Sequence, residues 1–123
     1  MGYRSDVAIA IDKQAFNKLR LLGKVPLVVI NEIQFETGSA YYWYFQSTKW
    51  YEDFQDVKDY TALLDYLDSG PEELGTSKEF FDPDLYGFIR IGEESADYEE
   101  RGAPYEFNII LDRSIRFPSP SAE

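Results

Sequence analysis

Apolar and polar residues alternate over residues 3–11. Val7, Ile9 and Ile11 fall on one side, and Asp6, Ala8 and Ala10 on the other. Period two over this length predicts a strand with a large-residue face and a small-residue face. The small face leaves room for something packed closely over it. The period then lengthens: Ala15, Phe16, Leu19 and Leu22 recur at helical spacing, with Lys13, Lys18 and Arg20 on the opposite side. Asp12 is placed to cap this helix, because its carboxylate can accept from the first free backbone N–H groups, and Gly23 is placed to end it.

Alternation returns after Pro26. Leu27, Val29, Asn31, Ile33 and Phe35 oppose Val28, Ile30, Glu32 and Gln34, which predicts a long strand, apolar on both faces in its first half. A short glycine-bearing turn at residues 36–39 predicts a hairpin into a second strand. There Tyr41, Trp43 and Phe45 oppose Tyr42, Tyr44 and Gln46. The main helix is predicted from Asp53 or Asp56 to Asp68. Its inward stripe is Phe54, Val57, Tyr60, Thr61, Leu64 and Leu67, with Leu63 at the edge. Asp65 and Asp68 near its end run against the helix dipole, where a lysine would serve better, and Ser69-Gly70-Pro71 stops it.

Residues 71–84 read as loop, with Phe80 and Phe81 placed to plug the core from the edge. Residues 85–92 read as a strand, with Tyr86, Phe88 and Arg90 opposite Leu85, Ile89 and Ile91, and Gly87 and Gly92 as its weak spot and end. Five acids then crowd the eight residues 93–100, EESADYEE. A last strand is predicted over residues 105–112, hairpinned to the one before. Together these give one α+β domain over residues 1–117 and a disordered tail at 118–123. The element order is the βαββαβ, ferredoxin-like pattern plus an additional C-terminal strand: a mainly antiparallel sheet with two helices on one face. The other face would carry some of Tyr42, Tyr44, Tyr86 and Phe88, so that either the sheet bends around these rings or a second subunit covers them.

Composition changes the picture by subtraction. With no histidine and no cysteine among 123 residues, the commonest general base, thiolate nucleophiles and the usual zinc ligands are gone together. Ser47 and Ser114 have no histidine to activate them. No Walker or dinucleotide glycine motif is present, nor a nucleophile elbow. The carboxylate pairs Asp82/Asp84 and Glu93/Glu94 lie outside apolar surroundings that would split their pKa values, and the 93–100 run lacks the register of a calcium loop. The expectation is no cofactor, no dedicated metal site and no enzyme. No apolar run approaches a membrane span, and the N-terminal residues carry neither a signal peptide nor a myristoylation pattern. An intracellular, soluble protein is expected.

Charge adds the one positive signal. The formal net charge is −11, but residues 1–51 carry six basic and four acidic residues, and residues 52–100 carry three basic and sixteen acidic. That excess argues against direct nucleic-acid binding, which needs a basic footprint, even though aromatic strands in this order resemble an RNA-binding sheet. It favours docking on a basic protein surface through Asp53, Asp56, Asp59, Glu93, Glu94, Asp97, Glu99 and Glu100, in the manner of a nucleic-acid mimic. Acidic solubilising surface is the plainer account of the same residues.

Residues 3–8 (YRSDVA), the segment 86–93 (YGFIRIGE) with the acids after it, and Lys49-Trp50-Tyr51 resemble a group of small proteins encoded by bacteriophages and prophages. The resemblance touches about a third of the chain and brings no catalytic residues. It implies an accessory protein in the cytoplasm of a bacterial host, of the kind that inhibits host defence or nucleic-acid enzymes. The leading expectation is therefore a non-enzymatic inhibitor of a host protein. The alternatives are a homodimeric small-ligand binder using the tyrosines and Arg90, and a metal-dependent carboxylate enzyme.

Overall fold

In the computed structural model, β1 (Ser5–Asp12) runs through the middle of a five-stranded sheet. The structure describes residues 3–51, 53–69, 74, 85–94, 96–107, 109–112 and 114–116. The expected plug at Phe80 and Phe81 and the tail at 118–123 lie outside them. Following β1 come α1 (Lys13–Leu21), α2 (Leu27–Asn31), β2 (Phe35–Glu36), β3 (Ala40–Thr48), α3 (Gln55–Asp68), β4 (Tyr86–Gly92) and β5 (Tyr98–Gly102). A 3-10 turn at Pro104–Phe107 and a hairpin of β6 (Ile110–Asp112) and β7 (Ser114–Arg116) follow among the described residues. The sheet order is β2-β3-β1-β4-β5, every neighbouring pair antiparallel. The protein is α+β, and its architecture is compatible with a ferredoxin-like pattern. No helix among the described residues is long and apolar enough to cross a membrane.

The caps read from sequence are in place. Asp12 accepts from Ala15 N–H at 3.0 Å, and Gly23 takes φ +72° just past the end of α1. Val7, Ile9 and Ile11 are fully buried against Phe16 and Leu19 of α1 and against Val57, Tyr60, Leu63, Leu64 and Leu67 of α3. Each such side chain contributes about 1.5–3 kcal/mol by leaving water. The stripe of α3 differs slightly from expectation. Phe54 precedes the helix and is exposed, as is Thr61, while Leu63 is buried; Leu22, at the end of α1, is also half exposed.

Two expected strands are corrected. The run after Pro26 is mostly helix, and β2 is only two residues. Val25, Val29 and Ile33 recur at i, i+4, so the run satisfies both periods, and tertiary contact decides. The indole of Trp43 donates to the carbonyl of Val29 at 2.9 Å, so the end of α2 provides the acceptor that a buried ring nitrogen needs. The second correction concerns the C-terminal part. The acidic run forms a turn and then β5, and residues 104–107 form a 3-10 turn where a strand was expected. β6 pairs with β7 and not with β4.

The second sheet face is occupied by the chain itself. Ala8, Ala10 and Gly87 form a shallow trough, and Phe107 and Ile109 fill the space above it. A Cβ on Gly87 would lie 2.6 Å from Pro104 Cα, so glycine is what lets the turn descend this far. Tyr42 stacks on Phe35 and donates to the Phe107 carbonyl. Tyr86 and Phe88, expected among the rings of this face, belong to the helix-covered core, because they sit opposite Ile11 and Ile9 across the ladder.

Candidate functional site

One end of the sheet gathers polar groups that are far apart in sequence. β3 carries an extra residue between Phe45 and Thr48, and Ser47 takes φ +52° there. A left-handed serine costs about 1–2 kcal/mol, and two neighbours hold it. Asp6 accepts from Ser47 N–H at 2.7 Å, and the Arg4 guanidinium donates to its carbonyl at 2.9 Å. Beside this bulge, Arg4 N–H donates to Glu93, and Tyr3 donates to Asp97. Arg90 donates to Asp97 at 2.8 Å, to Glu99 at 3.1 Å and to the buried Ser5 hydroxyl at 3.2 Å.

A second cluster lies on the same side, further along β5. Arg101 donates to Asp65 at 2.7 Å and to Asp68 at 2.8 Å, both on α3, and Asp68 also accepts from the Tyr86 hydroxyl. This supplies from another element the cation that the end of α3 lacks in its own sequence.

Between the two clusters, α3 and the β4–β5 edge enclose a groove of about 950 Å³. Trp50 and Phe88 line it, with ring centres 6.2 Å apart, and Tyr51 lies at its end against Phe54. On one side are Asp53, just before α3, and Lys58 and Asp65 on the helix; on the other are Asp97, just before β5, and Glu99 on the strand. The charges are layered. The side chains of Arg90 and Arg101 are 17% and 23% exposed, whereas those of Glu99 and Asp65 are 50% and 65% exposed. The exposed groups offered to an incoming molecule are therefore mainly carboxylates, with Lys58 of α3 among them, Trp50 half-buried between, and the two guanidinium groups beneath.

Of the acids singled out from sequence, the groove brings together Asp53, Asp97 and Glu99. Asp56 is exposed and accepts from Val57 N–H; Asp59 accepts from Gln55 on the flank of α3 that faces Lys24 and Tyr66. Glu93 and Glu94 lie in the exposed turn before β5, and Glu100 is exposed opposite Ile89, on the other face of the sheet. Sequence reasoning missed Asp65, Arg101 and Trp50 as groove residues. The signal for Asp65 and Asp68 was their spacing at an uncompensated helix end; Arg101 carried none.

The hydrogen bonds of the site shift the titration of its members. The hydrogen bond from Arg90, then that from Tyr3, holds Asp97 below the usual carboxylate range, and the same bond to Asp97 raises Tyr3. Burial disfavours the Arg101 cation, but Asp68 and Asp65 outweigh it and hold the group charged. Among the described residues no three carboxylates are grouped so as to hold a metal ion. No family model matches the chain, and no curated protein or solved structure matches it.

Proposed function

We propose that this is a non-catalytic acidic accessory protein of phage type, acting in the cytoplasm of a bacterial host, that binds a host protein through a basic surface and occludes it. Proteins that handle nucleic acid are the favoured class of partner, because their clefts are basic by necessity. The observation that carries the reading is the layering of the groove, with exposed Asp65 and Glu99 above shielded Arg101 and Arg90. Carboxylates pinned from below keep their geometry without a partner, so little ordering is left to offset on binding. The alternative of a ligand held between two subunits is less favoured, since Phe107 and Ile109 of the same chain pack with Tyr42 on the second face.

The test is capture from bacterial lysate by the immobilised protein. A basic partner should be retained at about 50 mM salt and released by about 500 mM, as expected when exposed charges are screened. Excess duplex DNA should compete if the partner handles nucleic acid. Absence of any retained partner at low salt sinks the reading.

A further inference from the structure

The groove is narrower in its chemistry than a general acidic surface. Resting on the reading above, we propose that it seats an arginine side chain carried on an extended segment of the partner. Three features converge. Arg101 takes Oδ1 of Asp65 and Arg90 takes Oε1 of Glu99, and among the described residues no donor takes the second oxygen of either, which leaves it to an incoming donor. Half-buried Trp50 lines the space between these walls, backed by the buried ring of Phe88, and a cation over such an indole is attracted by its quadrupole. The walls belong to different elements, α3 and β5, so a side chain must enter between them, and a flat or convex folded surface would meet only the exposed rim. A planar guanidinium can stack on a ring and donate to a carboxylate in its own plane, whereas an ammonium acts as a hydrated point charge. The geometry therefore selects arginine over lysine, where net charge alone would not.

The protein carries its own probe. Of its two tryptophans, Trp43 is fully buried and Trp50 lines the groove. The chain would be titrated with an arginine–glycine repeat peptide, a lysine–glycine repeat of equal length, and spermine, reading tryptophan fluorescence. The arginine peptide should bind about tenfold more tightly than the lysine peptide, with a signal that disappears in Trp50→Phe. Asp65→Asn and Glu99→Gln, both at exposed positions and each checked for an unchanged melting temperature, should each weaken it by about three- to tenfold. Equal affinity for the arginine and lysine peptides would reduce the groove to a field effect and overturn the proposal. So would an unmoved Trp50 signal, or full affinity in both carboxylate variants. The lysate experiment separates the two claims: a partner retained equally by these variants leaves the proposed function standing and removes only the arginine seat.

Discussion

Gly92 and Asp97 illustrate how single positions build the site. A Cβ on Gly92 would collide with the Asp97 carboxylate and the Tyr3 hydroxyl, so the absence of a side chain is what allows that pair to meet. Asp97 in turn links Tyr3 to Arg90. Its pKa is lowered in the folded state, so its contribution is present above the unfolded carboxylate value and is lost as pH falls through the lower folded one. Stability should therefore decline on acidification from about pH 4 downward, and Asp97→Asn should show a shallower decline over that window. Urea midpoints measured across the acid range check this; parallel pH profiles for the two proteins would refute it.

Elements in this fold are positioned as much by what is missing as by what packs. The trough of Ala8, Ala10 and Gly87 admits the Pro104–Phe107 turn, and the Tyr42 hydroxyl anchors that turn from β3. Gly87→Ala should cost about 2–3 kcal/mol, the upper range of overpacking, because the obstructing atom is backbone and cannot rotate aside. Gly38→Ala is the matched control, since a Cβ there meets nothing within 4 Å, and it should change stability by less than about 0.5 kcal/mol. Chemical denaturation of both variants decides whether the C-terminal turn is packed as described. At the same scale, β5 carries Glu99 and Glu100 on the outermost strand, where charge discourages pairing with other chains. An acidic run with no apolar alternation thus becomes a strand because β4 offers it a ladder.

Across the whole molecule, charge is divided between a weakly basic first part and a strongly acidic middle. Arg90 and Arg101 tie the acidic middle together but do not neutralise it. Repulsion among the remaining carboxylates should oppose the folded state at low ionic strength. Raising sodium chloride from about 10 mM to 300 mM should therefore raise the melting temperature by roughly a few degrees. A fall instead would mean that the two arginine clusters dominate the electrostatics, and the excess acidic charge would lose its claim to be exposed.

The linear pattern by itself determined β1, the capped α1, the aromatic alternation of β3, α3 and β4, because each is a run whose period has a single solution. It also marked Asp53, Asp97 and Glu99, though only as members of a longer acidic list. Tertiary structure alone decided the rest. Residues 27–35 fit two periods, and the helix is the form in which Val29 is buried in the core while its carbonyl accepts from Trp43. Residues 98–102 fit neither period, and the open edge of β4 made them a strand. The groove depends on Arg101 reaching α3 across 33 and 36 positions in sequence. Side-chain spacing along a chain reports which face a residue occupies; it does not report which distant face will be folded against it.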